Sequence, residues 1–167
     1  PEEDVEEPAT NASKPRTLYM HRKVLPGTAS KIRKWASDVG LTGIQDDLHV
    51  TIAYSRTPFD WTKIRGGLRL GAAGEDGQMV VPAGGVRILE PIGPAKTETV
   101  DGKAVTRQAI ALLFVSEELA YRHMDIMDAG ASHDFEDYQP HITLTYEPQT
   151  VDLAPIKPFQ GSIWLGP

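Results

Sequence analysis

Two short stretches of the chain repeat one pattern: His49-Val50-Thr51-Ile52-Ala53-Tyr54 and His141-Ile142-Thr143-Leu144-Thr145-Tyr146. We call them the His/Thr motifs. Successive side chains of a β-strand point to opposite faces. Each motif is therefore predicted to place its histidine and first threonine on one face and its aliphatic residues on the other. An imidazole and a hydroxyl, presented twice, are the groups that acid–base chemistry on a phosphodiester requires.

A strand and a helix are predicted before each motif. Residues 17–24 alternate as a strand, Pro26-Gly27 is predicted to break it, and a helix over 28–38 is expected to be capped by Thr28 or Ser30. Residues 106–115 and 117–128 repeat this order before the second motif. The repeat predicts a duplicated, pseudo-twofold α+β fold. Two antiparallel sheets would flank a central groove, with the two histidine strands facing each other across it and the helices outside.

The segment between the two units is predicted to form short strands separated by turns. The strands are expected at residues 78–81 and 86–92, and Asp60 is expected to cap a short helical turn over 61–65. Asp101-Gly102 is a hairpin-turn signal. A last strand is predicted over residues 158–165.

Composition and charge narrow the classes of protein. Residues 1–15 contain five acids and one base, and therefore carry most of the formal net charge of −6. They are predicted to be a disordered tail or linker, and residues 16–167 a single domain. A nearly neutral domain argues against a stable polynucleotide complex. No apolar run is long enough to span a membrane, and no signal peptide is evident, so the cytoplasm is the expected location.

One stretch is locally basic. Residues 8–37 contain no acid and seven bases. The stretch is expected either to attract a small polyanion or to form a solvated helix face. The bases are Lys14, Arg16, Arg22, Lys23, Lys31, Arg33 and Lys34.

No metal site is predicted. The chain has no cysteine, and its histidines and acids do not follow a metal-ligand spacing such as His-Glu-x-x-His. His123 and His133 are interpreted as helix and loop residues without a catalytic role. His21 shares a strand face with Tyr19 and is interpreted as a surface residue, with the groove as the alternative.

At these motifs the chain resembles the two-histidine (2H) phosphoesterase superfamily, which is defined by paired His-x-Thr/Ser-x motifs. Within it the chain is most similar to bacteriophage anti-CBASS phosphodiesterases, which degrade the cyclic oligonucleotide signals of bacterial immunity. The further cues are residues 17–20, 138–146 and 159–167. In that subfamily an acidic and an aromatic residue beyond the equivalent of Gly166-Pro167 help to hold the ligand, so part of the pocket is expected to be missing or supplied otherwise.

The resemblance implies a site and a reaction. His49 and His141 would exchange protons with a ribose 2′-OH and a leaving 5′ oxygen, Thr51 and Thr143 would bind the phosphate, and Tyr19 would stack on a base. Neither a metal nor another cofactor would be needed. The partner would be a cyclic di- or trinucleotide in the cytoplasm of the infected host. The resemblance also extends to domains fused to phage portal proteins, which implies a larger polypeptide that would be virion-associated if its other part is a structural protein.

Two alternatives remain open at this point. The first is a 2H enzyme that opens terminal 2′,3′-cyclic phosphates or trims RNA ends. The second is a non-catalytic portal or virion accessory domain that binds without turnover.

Overall fold

One five-stranded antiparallel sheet carries both His/Thr motifs. The computed structural model describes residues 14–65, 77–132 and 137–167. Within these residues the large sheet has the strand order β1-β2-β6-β5-β4, and β3 and β7 form a two-stranded antiparallel sheet. The predicted α+β class with two antiparallel sheets is confirmed. In chain order the elements are β1 (Arg16–Lys23), α1 (Pro26–Asp38), β2 (His49–Phe59), a 3₁₀ turn (Trp61–Lys63), β3 (Met79–Val81), β4 (Arg87–Val100), β5 (Lys103–Phe114), α2 (Glu117–Asp128), β6 (His141–Thr145) and β7 (Ile163–Leu165).

The two histidine strands are neighbours in one sheet, which corrects the prediction that they face each other across a groove between two sheets. Strands β2 and β6 pair antiparallel at Val50 and Ile142. Both motifs bury an aliphatic face against the same core. Two strands that pack on the same core can lie side by side in one sheet. The order is symmetric about this pair, since β1 flanks β2 and β5 flanks β6. The duplicated 2H arrangement itself stays a prediction.

The predicted alternation of the motifs is confirmed. Val50, Ile52, Ile142 and Leu144 are at most 1% exposed, whereas the histidine and first threonine of each motif are partly exposed. The aliphatic residues share one core with apolar side chains of both helices. Burial of each such side chain contributes about 1.5–3 kcal/mol. The sheet thus has one face held by the core and one face available for a site. The helix residues in this core include Ile32, Ala36, Leu119 and Ile126.

The two helices begin differently. Helix α2 starts as predicted, because the hydroxyl of Ser116 accepts a hydrogen bond from the backbone N–H of Leu119 at 3.3 Å. Helix α1 starts earlier than predicted, at Pro26. Proline suits the first helical turn, where its fixed φ is helical and its missing N–H is not needed. Strand β1 ends at Lys23, so the prediction that Pro26-Gly27 breaks the strand is confirmed, and these two residues form the first turn of α1. Thr28 does not cap the helix as predicted. Its hydroxyl accepts a hydrogen bond from the backbone N–H of Trp164 at 3.1 Å.

A long hairpin joins β4 and β5. Its turn is at the predicted Asp101-Gly102 dipeptide, where both residues have positive φ (50° and 77°), as a type I′ turn requires. Strand β4 is much longer than the predicted strand at 86–92, with an irregularity in its pairing between Ile92 and Lys96. The hairpin is thus long enough to form a wall beside the motifs.

The last strand is shorter than predicted. Only Ile163–Leu165 is extended and paired, not residues 158–165. The buried guanidinium of Arg87 donates to the carbonyls of Phe159 and Gly161, both at 2.7 Å. These carbonyls are thereby bonded to a side chain rather than to a neighbouring strand.

Some predictions fall outside the described residues: most of the acidic tail, the glycine-rich turns at 71–76, and His133. The division into a tail of 1–15 and a domain of 16–167 stays a prediction. In the part of the chain that the structure describes, neither helix has the length and hydropathy needed to cross a membrane.

The free energy of unfolding is expected to fall as the pH drops below about 6.5. His123 is buried and its Nδ1 donates to the carbonyl of Ile52 at 2.6 Å; burial lowers its pKa. Below the unfolded-state pKa of about 6.5 the unfolded chain therefore binds more protons than the folded one, which destabilises the fold by up to about 1.4 kcal/mol per pH unit. Urea unfolding at pH 7.5 and 5.5 measures this. The glutamine in His123→Gln keeps a hydrogen-bond donor but does not titrate. The free energy of unfolding should therefore fall less between pH 7.5 and 5.5 in this variant than in the wild type. An equal loss in both proteins would contradict the assignment.

Candidate active site

The five side chains predicted from the sequence line one cavity of about 590 Å³. The cavity lies on the face of the five-stranded sheet that carries the polar residues of the motifs. Strand β1 contributes Tyr19, β2 contributes His49 and Thr51, and β6 contributes His141 and Thr143. The structure thus brings together residues that are up to 124 positions apart in the chain.

The strand register relates the two motifs to each other. Because Val50 pairs with Ile142 in antiparallel strands, the residues on either side of this pair face each other crosswise. His49 lies toward Thr143, and Thr51 lies toward His141. The two histidines are then diagonal neighbours, a relation that in antiparallel sheets corresponds to about 7–8 Å. A phosphate group bound between them would meet an imidazole and a hydroxyl from each strand.

Both histidines are held in the same way. The Nδ1 atom of His49 lies 3.1 Å from the carbonyl oxygen of Asp47, and that of His141 lies 2.9 Å from the carbonyl oxygen of Gln139. A carbonyl oxygen can only accept, so each Nδ1 carries a hydrogen and donates. In the neutral ring this leaves the lone pair on Nε2. Each imidazole therefore has its Nε2 available for proton exchange, and each is anchored by the residue two positions earlier.

Tyr19 contacts the first motif directly. Its hydroxyl donates to Nε2 of His49 at 3.0 Å and lies 3.4 Å from the hydroxyl of Thr51. Its ring is 49% exposed and packs edge-on against Tyr54, with 5.6 Å between the centroids. A half-exposed aromatic face beside the histidines suits a stacked base, and this role stays a prediction.

His21 belongs to the surroundings of the site rather than to the open surface. Its ring centroid lies 5.0 Å from that of His49 and 5.1 Å from that of Tyr19. Within the described residues its buried Nδ1 has no hydrogen-bond partner. Burial, and secondarily the neighbouring His49, lower the pKa of His21, which favours the neutral ring. Its position on the Tyr19 face was the signal in the sequence; the ring is partly exposed and is not among the residues that line this cavity or the one that adjoins it.

Sequence reasoning did not identify the opposite wall of the cavity. The β4–β5 hairpin contributes Lys96, Glu98 and Arg107 to the lining. Nε of Arg107 lies 2.9 Å from a carboxylate oxygen of Glu98, and both side chains are about half exposed. Only the hairpin register brings these residues to the motifs, so no local pattern marks them.

A second cavity of about 640 Å³ adjoins the first. It shares Tyr19, Thr51 and His141 with the first cavity and extends past Tyr54 and Tyr138. The motifs therefore lie where two cavities meet, and a ligand with several binding groups has room on both sides of the histidines.

Across residues 14–65, 77–132 and 137–167, no three or more histidine, aspartate or glutamate side chains are arranged to hold a metal ion. That the reaction needs no metal stays a prediction.

Two imidazoles with a hydrogen on Nδ1 and two hydroxyls line one cavity, an arrangement that is chemically able to exchange protons with a bound anion. The family model described as "Anti-CBASS protein Acb1" matches residues 16–167. The chain therefore belongs to the Anti-CBASS protein Acb1 family. This confirms the predicted resemblance to anti-CBASS proteins of bacteriophages.

Relatives that carry the name "Anti-CBASS protein Acb1" occur in bacteria and phages. The protein of Caulobacter sp. (strain RHG1) is 45% identical over 161 residues, and that of Sphingomonas paeninsulae 39% identical over 155 residues. These matches cover 95% and 92% of this chain but only 23% and 22% of the relatives. The protein of Enterobacteria phage T4 is 32% identical over 102 residues, which is 61% of this chain and 52% of the relative. The names do not mention a portal protein, so they lend no support to that expectation.

Proposed function

We propose that this chain is a phosphodiesterase that cleaves the 3′–5′ bonds of cyclic di- and trinucleotide immune signals. It would act in the cytoplasm of an infected bacterium and would need no metal. The observation that carries the proposal is the common anchoring of His49 and His141 through Nδ1, which directs the Nε2 side of both rings to proton exchange in one cavity. Membership in the Acb1 family supports the anti-CBASS role. The site also suits assignment to the 2H phosphoesterase superfamily.

In the first step, one histidine removes the proton from a ribose 2′-OH through its Nε2. The oxygen attacks the adjacent 3′ phosphorus, and the bond from phosphorus to the 5′ oxygen breaks. The other histidine enters the step as an imidazolium, with a hydrogen on each ring nitrogen, and gives the Nε2 proton to the departing 5′ oxygen. Proton transfers of this kind typically contribute about 10²–10⁴-fold each. The product is one linear chain that carries a 2′,3′-cyclic phosphate at one end and a 5′-hydroxyl at the other.

The hydroxyls of Thr51 and Thr143 donate hydrogen bonds to the non-bridging oxygens as negative charge develops. Donors of this type typically contribute about 10²–10³-fold. Water can then attack the cyclic phosphate with the two histidines in reversed roles, which gives a 3′-phosphate.

The hairpin wall suits a ligand with more than one phosphate. Lys96 and Arg107 supply positive charge to the same cavity, and a guanidinium can bind a phosphate with two hydrogen bonds. A cyclic oligonucleotide has a second phosphate across its ring from the one that is cleaved. The half-exposed Tyr19 ring offers a stacking surface, and stacking is worth about 1–3 kcal/mol per base.

A substrate panel tests this function. The chain is incubated with cyclic dinucleotides, cyclic trinucleotides and an RNA that ends in a 2′,3′-cyclic phosphate, each with and without EDTA, and the products are separated by chromatography. We expect ring opening that EDTA does not reduce. Turnover of the RNA alone would identify an RNA-end enzyme instead. Tight binding of a cyclic nucleotide in calorimetry without turnover would identify an accessory binding domain.

A further inference from the structure

Strand β2 is irregular directly after Thr51. In its register with β1, Thr51 pairs with His21 and Ala53 pairs with Met20, which leaves Ile52 as an extra residue. Such a β-bulge disrupts the ladder locally and redirects the neighbouring side chains. The backbone at this point therefore needs other groups to fix it.

Two side chains bind the backbone at this bulge. The hydroxyl of Tyr138 donates to the carbonyl of Thr51 at 2.8 Å. Nδ1 of His123 donates to the carbonyl of Ile52 at 2.6 Å. We call these two side chains the carbonyl clamp. Consecutive carbonyls beside a proposed phosphate-binding threonine are thus held from outside β2.

The clamp is rigid because its two rings are stacked. Their centroids are 4.2 Å apart and their planes differ by 9°. Burial raises the pKa of the Tyr138 hydroxyl and lowers that of His123. Both groups therefore stay neutral near pH 7 and keep the hydrogens that they donate.

The clamp also reaches the second motif. Tyr138 is followed by Gln139, whose carbonyl accepts the Nδ1 hydrogen of His141 at 2.9 Å. The side-chain amide of Gln139 donates to the carbonyl of Phe114 at 2.8 Å. One short segment thus orients His141 and, through Tyr138, holds the backbone of Thr51.

We propose that Tyr138 is a positioning residue. It ties Thr51 of the first His/Thr motif to His141 of the second, and so fixes the distance between the two motifs. This inference rests on the proposed phosphodiester cleavage. Tyr138 does not take or give the reacting proton. It acts through the Thr51 backbone.

The test is Tyr138→Phe, which removes the hydroxyl but keeps the ring stacked on His123. We expect kcat for a cyclic dinucleotide to fall about 10-fold and KM to change less than twofold, because the misplaced groups act only in the transition state. Trp35→Phe is the matched control, since it removes an indole N–H that donates to the carbonyl of Lys157 at 3.0 Å away from the cavity. Its kcat should equal that of the wild type.

A double-mutant cycle separates positioning from a general loss of stability. If Tyr138 acts through Thr51, then Tyr138→Phe should have almost no further effect on kcat in a Thr51→Val background. Additive losses in the cycle, or an unchanged kcat in the single variant, would overturn the proposal.

Amide hydrogen exchange gives a readout that does not depend on turnover. Exchange at residues 51–53 should be about 10-fold faster in Tyr138→Phe than in the wild type and unchanged in Trp35→Phe. If the exchange rates at residues 51–53 are equal in Tyr138→Phe and the wild type, Tyr138 does not hold the Thr51 backbone. This conclusion stands even if the substrate panel finds no activity. A wild type that turns over nothing but shows the exchange difference would reject only the proposed function.

Discussion

Replacement of His141 by asparagine is expected to lower kcat by about 10²–10⁴-fold with little change in the melting temperature. The amide nitrogen of asparagine can take the place of Nδ1 and keep the hydrogen bond to the carbonyl of Gln139. Asparagine has no group that titrates near neutrality, so the variant separates proton transfer from positioning. The same loss is expected for His49→Asn, whose anchor is the carbonyl of Asp47. Initial rates with a cyclic dinucleotide measure both effects.

An alanine variant adds a positive test. His141→Ala leaves space in the cavity for an added imidazole, which should restore part of the lost activity. Rescue should follow the fraction of unprotonated or protonated imidazole as the pH is varied, and the form that rescues will identify His141 as base or acid. A kcat within tenfold of the wild type for either asparagine variant would remove that histidine from the mechanism.

The second large effect is expected from the substrate. A cyclic dinucleotide that contains one ribose and one 2′-deoxyribose should be cut only at the phosphate that follows the ribose. The internal 2′-OH attacks with an effective molarity of about 10⁵–10⁸ M. Its loss should therefore slow cleavage at the deoxyribose phosphate by at least about 10³-fold. The two phosphates of one molecule serve as test and control, and chromatography distinguishes the products.

Binding must be compared separately. Calorimetry with the fully deoxy ring should give an affinity close to that of the ribose ring, since the hairpin wall and the Tyr19 ring do not require the 2′-OH. Cleavage of the deoxyribose phosphate at the normal rate would contradict internal attack and would point to water as the nucleophile.

The sequence was sufficient for features that depend on neighbouring residues. The alternation of His49 to Ile52, the helix over 117–128 and the turn at Asp101-Gly102 each follow from a few adjacent side chains, and all three are confirmed. Because both motifs carry the same alternation, the side of each strand that carries its histidine could also be predicted.

Features that depend on distant contacts could not be predicted. Whether β2 and β6 face each other or pair side by side depends on how the whole core packs, and no local pattern encodes it. The carbonyl clamp joins Tyr138 and His123 to a bulge about 70 to 90 positions earlier in the chain. Likewise, Arg107 reaches the cavity only through the register of the hairpin.

The anchoring of both histidines by main-chain oxygens has a consequence for evolution. Every amino acid supplies a peptide carbonyl, so the hydrogen bonds from Nδ1 of the two histidines do not themselves require a particular side chain at positions 47 and 139. A site oriented by carboxylates would lose its geometry through one substitution at either position. The orientation of the two imidazoles can therefore be kept while the side chains at these two positions change.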